Sequence, residues 1–244
     1  MATTKAIFKR EFASYFSTPI ALIFLCVFLM LTGFFSFKLG RLYEQGEADL
    51  RAFFIWHPWL YLFIVPAVSM RLWAEERKSG TIELLLTLPV SLRSAVLGKF
   101  LAAWAFIGLA LVLTFPIVLA VAYLGDPDYG VVLTGYIGSF LMAGTFLAIG
   151  SAISAATNNQ VISFVITTTI CLILILLGHD PVVETLQSLL PVAAVDQLTN
   201  LSFPYHFEAI YRGVVDLRDL LFFFLLMGLG LTSTGIILDR FKAD

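Results

Sequence analysis

Residues 75–89, Glu75-Glu76-Arg77-Lys78-Ser79-Gly80-Thr81-Ile82-Glu83-Leu84-Leu85-Leu86-Thr87-Leu88-Pro89, form a charged knot followed by an amphipathic segment. The stretch lies between two long apolar runs. If those runs are bilayer helices, Glu75 to Lys78 end one of them at a water-facing surface. Gly80 suits the position just past that helix, where a left-handed backbone is needed. Thr81 can cap a new helix, and Glu83 in its first turn complements the positive end of the helix dipole. Pro89 closes it, because the residue before proline avoids helical geometry. Residues 80–89 therefore read as a short helix crossing the main axis and offering Ile82, Leu84, Leu85 and Leu88. The residues alone leave two uses open: insertion into a groove of a soluble partner, or a helix lying on lipid.

The composition agrees with bilayer helices on either side. Of 244 residues, 59% are hydrophobic and 13% charged, whereas soluble domains carry about a quarter charged residues. No stretch has the composition of a soluble domain, so residues 1–244 read as one all-α, polytopic transmembrane domain. No basic cluster exceeds three residues, which argues against a nucleic-acid partner. Cys26 and Cys171 both fall in apolar runs and read as small core hydrophobes.

Working outward, six apolar segments approach the ~20 residues that a bilayer requires: 20–37, 55–73, 100–124, 131–156, 161–178 and 220–238. The first is too long for a signal-peptide core and no cleavage site follows it, so it reads as a retained span. Ahead of it, residues 3–17 place Ile7, Phe8, Phe12, Tyr15 and Phe16 near helical spacing, with Lys9, Arg10 and Glu11 between them. That pattern suits an amphipathic helix in the membrane interface. Pro66 and Pro116 fall inside spans and predict kinks. With both termini in the cytoplasm, the inner segments hold ten of the fifteen Lys and Arg residues and the outer segments five, as the positive-inside rule requires. Residues 179–218 then lie outside. They hold three helix-like pieces, too apolar for a free loop, and read as short helices folded back on the outer face and partly re-entrant. Gly144, Ala148 and Ala152, and likewise Gly228 and Thr232, recur at steps of four and predict close helix approach.

Chemistry is conspicuous by its absence. The chain has no H-E-x-x-H zinc motif, no G-x-S-x-G elbow and no phosphate-binding G-x-x-x-x-G-K-[ST] loop. His57, His179 and His206 avoid the middle of any span, which leaves His179–Asp180 and His206–Glu208 as the only conceivable metal pairs. The spans hold almost no ionisable residue except Arg71, near enough to the surface to snorkel. Ser163, Thr167 and Cys171 form a polar row that either lines a pathway or bonds back to its own helix. A chain without a phosphate loop needs another polypeptide to supply energy if its transport is driven.

The order E-R-x-x-G-T-I-E-L-L-L-T-L-P, Glu76 to Pro89, resembles the segment after the second span of ABC-2 type permeases, the membrane subunits of ATP-binding-cassette exporters. The start Ile7-Phe8-Lys9-Arg10-Glu11-Phe12 and residues 206–219 are similar to one branch, the gliding-motility-type and related bacterial permeases. The resemblance implies a non-catalytic subunit of the bacterial inner membrane, paired with a second copy or a related permease. It would sit on two cytoplasmic ATPase subunits that hold the ATP and Mg, with no cofactor bound directly here. Glu75, Glu76, Arg77, Gly80, Thr81, Ile82, Glu83, Leu84, Leu85, Leu88 and Pro89 would form the ATPase-coupling element, with Lys9, Arg10 and Glu11 of the interfacial helix nearby. His206, Glu208, Arg212 and Asp216 would belong to an outer cap over the exit, and the partners would extend to a periplasmic companion. Two rivals stand beside this reading. A secondary carrier or channel lacks the buried carboxylate expected of it, and a membrane-embedded enzyme lacks a polar constellation.

Overall fold

The long apolar runs are helical. The computed structural model describes residues 2–17, 19–42, 44, 49–83 and 90–243, and every regular element among them is a helix. In chain order these are α1 (Ala2–Ser17), α2 (Pro19–Phe34, continued by a π-helical turn, Phe35–Leu39), α3 (Arg51–Phe54), α4 (His57–Ser69) and α5 (Ala74–Ser79). After these come α6 (Leu92–Val112), α7 (Phe115–Leu124), α8 (Tyr129–Ala156) and α9 (Gln160–Leu176). The last are α10 (Asp180–Leu189), α11 (Val192–Thr199), α12 (Phe203–Tyr211) and α13 (Leu217–Ala243).

Five runs are long and apolar enough to cross a bilayer: Ala21–Leu39, Arg51–Ser79, Leu92–Leu124, Tyr129–Ala156 and Leu217–Phe241. A sixth exists only if α9 and α10, bent by 75° at their junction, count as one. The expected span over 161–178 corresponds to α9, a 17-residue helix that ends in a sharp turn. At 1.5 Å per residue α9 is about 25 Å long, short of a hydrocarbon core of about 30 Å. The run Leu92–Leu124 breaks between α6 and α7 just before Pro116, and Arg51–Ser79 breaks after α4, three residues past Pro66. Counting α9, successive runs alternate in direction, so that α8 and α13 run parallel, Thr145 meeting the Phe223 carbonyl and Ser151 meeting Thr234. α1, α5 and the end of α13 gather at one end of the molecule, and α3 and α10 to α12 gather at the other.

The centre is α8, which carries no charged residue. Its start is capped by Asp128, whose carboxylate accepts from the amides of Gly130 at 2.8 Å and Val131 at 3.3 Å. Along its length it meets α4 (Tyr61 and Ser139 hydroxyls 2.6 Å apart), α6 (the Trp104 indole donating to the Phe140 carbonyl at 2.8 Å) and α13 (Thr145 donating to the Phe223 carbonyl at 3.3 Å). The small-residue reading of α8 is right at Gly144 and Ala148, both buried there. On α13 the packing within the chain uses another face. Gly228 and Thr232 are exposed, and the helix that touches Ala148 does so through Gly230. The buried stripe of α13 runs through Phe223, Met227, Gly230, Thr234 and Leu238. Cys26 is exposed on α2 and only Cys171 joins the core.

A Cβ at position 230 would lie 2.7 Å from the Ala148 carbonyl carbon and oxygen, which are backbone and cannot rotate away. Gly230→Ala is expected to force α8 and α13 apart at a cost of about 1–3 kcal/mol. Purified protein in detergent should then unfold at a clearly lower temperature. Gly228→Ala, with nothing within 4 Å of the new atom, should leave that temperature unchanged or slightly raised.

Candidate functional site

The charged knot does not simply end a helix in water. The chain unwinds over residues 70–73 and restarts as α5, and the break is stitched by hydroxyls of α8. The Ser154 hydroxyl accepts from the amides of Trp73 and Ala74, both at 3.1 Å, and donates to the Met70 carbonyl at 3.0 Å. The buried Trp73 indole N–H reaches the Ser151 hydroxyl at 3.1 Å, and Thr234 of α13 donates to the same hydroxyl at 3.2 Å. A helix break leaves backbone groups without intrahelical partners. Here side chains of two neighbouring helices supply some of them.

One turn further on, Glu76 reaches inward. Its carboxylate meets the Lys99 ammonium at 2.8 Å, and Glu11 of α1 meets the same ammonium at 3.5 Å. Lys99 is 5% exposed, and its Nζ also lies 5.3 Å from the Trp73 ring centre, within cation–π range. The spans therefore do contain a buried ionisable residue, contrary to the sequence reading, in which Lys99 was one more surface cation. Its partners sit in α1 and α5, far from it in sequence, so no local pattern exposes the cluster. Arg77 is anchored as well: its guanidinium donates to the Ala155 carbonyl at 2.7 Å and stacks 3.9 Å above the Phe241 ring. Arg71 and Glu75 pair at 3.1 Å on the outer face of the knot. α5 is thereby joined to α1, α6, α8 and α13. A cavity of about 390 Å³ opens beside the cluster, with Glu11, Tyr15, Arg71, Glu76 and Lys99 on its wall. Burial, and after it the Glu11 carboxylate, pushes the Tyr15 phenol up, so that it stays neutral.

Gly80 then turns the chain in the left-handed region, at φ +73°. The Thr81 hydroxyl contacts that of Ser79 at 2.9 Å and the Glu76 carbonyl at 3.5 Å. The amides beyond Glu83 that it is expected to cap lie outside the described residues. Residues 81–83 are helical, with Thr81 and Glu83 exposed and Ile82 half-buried against the core. Leu84, Leu85, Leu88 and Pro89 lie outside the described residues. The segment read as an interfacial helix is helical, as α1, and it runs along α6. Ile7 packs on Gly98, Tyr15 stacks on Phe106 at 4.8 Å, Arg10 pairs with Glu11 at 2.6 Å, and Lys9 is exposed.

The residues singled out at the other end are scattered among separate structural tasks. His206 is buried, with Nε2 against the Asn200 carbonyl at 2.8 Å and Nδ1 against Asp219 at 2.6 Å. Since a carbonyl only accepts, Nε2 is the donor to Asn200. Glu208 pairs with Arg212 on an exposed turn, so His206 and Glu208 do not act together. Asp216 accepts from the Arg218 amide at 3.1 Å and opens α13. No group of three His, Cys, Asp or Glu side chains suited to a metal occurs among the described residues. In α9 the polar row is buried, and Thr167 donates back to the Ser163 carbonyl at 2.7 Å, the self-bonding alternative.

An all-helical bundle with five spans, or six with the bent pair, defines a multi-pass membrane protein. The model of the ABC-2 family of transporter proteins matches residues 6–224, and the chain belongs to that family. It is accordingly a permease component of an ABC transporter, and membership implies association with an ABC ATPase subunit. No curated protein matches the chain.

Lys99→Met should strand two carboxylates at a partly dry site and cost about 3–5 kcal/mol. Adding Glu76→Gln should recover part of that loss, because the pair is coupled by more than about 0.5 kcal/mol. Thermal unfolding of the two single variants and the double variant in detergent measures both quantities.

Proposed function

We propose that the chain is the membrane half of an ATP-driven exporter in a bacterial inner membrane, and that residues 80–89 dock into a cytoplasmic ATPase subunit. The observation that carries this reading is the anchorage of α5. The chain turns at Gly80, immediately after a helix joined to four others, and the docking segment begins there. A short helix lying loosely on lipid has no use for such a mount. A helix that receives force requires one. Displacement of residues 81–88 by an ATPase closing around nucleotide would be passed through α5 to α1 and α6 by the Lys99 cluster. It would pass to α8 by Ser151, Ser154 and the Ala155 carbonyl. Because α8 packs against α4, α6, α9, α12 and α13, a push delivered to it reorients the bundle rather than one helix. The chain contributes no catalytic group in this scheme, and ATP and Mg reside on the partner. A second permease copy, or a related one, completes the complex.

The α5 end is placed in the cytoplasm because it gathers ten of the fifteen Lys and Arg residues. The helices α10 to α12 then cap the outer end.

Coupling is tested in proteoliposomes that hold the chain with its ATPase. Leu84→Asp and Glu83→Ala should each leave membrane insertion and the ATPase's own hydrolysis intact while abolishing the part of hydrolysis that depends on the permease. Full permease-dependent hydrolysis in both variants overturns the assignment. Orientation has its own test. In a background lacking Cys26 and Cys171, cysteines at the exposed Asp126 and Asp196 should react with an impermeant thiol reagent added to intact cells, and one at Ser79 should not. Asp126 is preferred to Asp128 because Asp128 caps α8. Reaction at Ser79 reverses the topology.

A further inference from the structure

The molecule has a second open cavity, at the α12 end, and its chemistry is unlike that of the first. It lies between the start of α4, the end of α9 and the length of α12, with a volume of about 430 Å³. The half-buried indoles of Trp56 and Trp59 and the Tyr211 ring form its walls, Phe207 and Ile175 lie deeper, and the carboxylates of Asp180 and Glu208 stand at its margin. Trp59 is fixed edge-on to the His179 ring at 5.9 Å, and Tyr211 meets Phe207 at 5.2 Å. No Lys or Arg lines the space. Glu208 shares Arg212, one turn along α12, while Asp180 has no ion-pair partner among the described residues. Burial, followed by the nearby Glu208 carboxylate, pushes the Tyr211 phenol up against the opposing pull of Arg212, which hydrogen-bonds to it, and of Arg51, so this wall stays uncharged.

Aromatic faces carry negative potential and attract cations that approach within about 6 Å. Carboxylates at the rim add to that attraction and repel anions. The lip of the cavity is greasy: Ile55, which also lines it, is 53% exposed on a helix apolar enough to span a bilayer. An occupant with an aliphatic ammonium and an apolar tail satisfies all three surfaces at once. A free anion is repelled by the carboxylates, and an uncharged sugar, which can stack on the rings and donate hydroxyls to the carboxylates, gains nothing from the apolar lip. The cavity at the α5 end offers no such match, since Arg71 and Lys99 line it and pair with its carboxylates.

We propose that this cavity binds amphiphiles through an ammonium headgroup, with the rings of Trp56, Trp59 and Tyr211 and the carboxylates of Asp180 and Glu208 as its recognition elements. The shared chemistry is the ammonium. Its source is either an aminophospholipid of the adjoining leaflet or a soluble amine. The site goes beyond the exporter reading and does not rest on it, because binding is read at equilibrium with no nucleotide and no ATPase.

The test uses the full chain in phosphatidylglycerol nanodiscs that contain a minor fraction of brominated phosphatidylethanolamine or, in parallel, brominated phosphatidylglycerol. Bromine quenches nearby indoles, and a Trp56→Phe/Trp59→Phe variant supplies the background from the other tryptophans. The expected result is about threefold stronger quenching by the ethanolamine lipid, the scale of one exposed cation–ring contact. That preference should be lost in Asp180→Asn/Glu208→Gln and reduced in Asp180→Asn alone, which leaves the Glu208–Arg212 pair intact. This outcome assigns the site to a bilayer lipid. If the two lipids quench equally but choline chloride shifts the Trp56 and Trp59 emission of the unaltered chain and not of the carboxylate variant, the ammonium site stands and its ligand comes from solution. Equal quenching with no response to choline overturns the proposal, and so does a lipid preference that survives the carboxylate substitutions.

Discussion

One buried ammonium constrains the whole α5 end. Moving a lysine out of water costs several kcal/mol unless opposite charge and hydrogen bonds replace its hydration. Lys99 meets that requirement with Glu76 at 2.8 Å and Glu11 at 3.5 Å, carried by different helices. The consequence is geometric as well as energetic. α1, α5 and α6 cannot separate without leaving a charge unpaired in a partly dry site, so they move together or not at all. A hydrophobic contact in the same place would let helices slide by small steps at small cost. A shared charge makes the junction closer to all-or-none, which suits an element that must pass on a displacement without absorbing it.

The hydroxyl splice at residues 70–74 has the complementary property. A continuous helix through α4 and α5 would be stiff but would fix the direction of α5 along the span. The break lets α5 depart from that axis, and Ser154 keeps it from becoming a hinge by holding three backbone groups at once: the amides of Trp73 and Ala74 and the carbonyl of Met70. Ser151 links the same junction to α13 through Thr234. Bend and rigidity, ordinarily in opposition, coexist here because the missing intrahelical bonds are replaced across the interface with α8.

Much of this architecture was legible in the residues, and the boundary follows from range. Gly80 as a left-handed helix stop and the three short helices between residues 179 and 213 are local events, set by backbone chemistry within a few positions. The spans were legible because the bilayer imposes length and apolarity. What was not legible was long-range or a choice of face. Lys99 reads as a surface charge until Glu11 and Glu76 are brought beside it. Gly228 and Gly230 are equally small, and only the orientation of α13 decides that Gly230 touches Ala148 while Gly228 faces outward. The functional assignment of residues 75–89 came from family resemblance. The structure adds a mechanical reason for the residues that precede Gly80.

The apolar character of α12 has a simple explanation in the shortness of α9. A 17-residue helix falls several ångströms short of the hydrocarbon thickness, so the bundle lacks part of a sixth wall. The chain turns by 75° at that point, and α12 fills the vacancy. Phe203, Phe207 and Ile210 are fully buried, and Gly138 of α8 lets the Ile210 and Phe207 side chains approach where any Cβ would collide. Gly178 does the same for Ser202, whose hydroxyl would lie 2.2 Å from a Cβ there and which caps α12. The His206–Asp219 contact then ties α12 to the first turn of α13. A straight sixth span would have to break each of these contacts. The bend is therefore built into the packing of four helices. α12 is hydrophobic because it packs into the bundle through Phe203, Phe207 and Ile210, whereas α10 buries none of its residues.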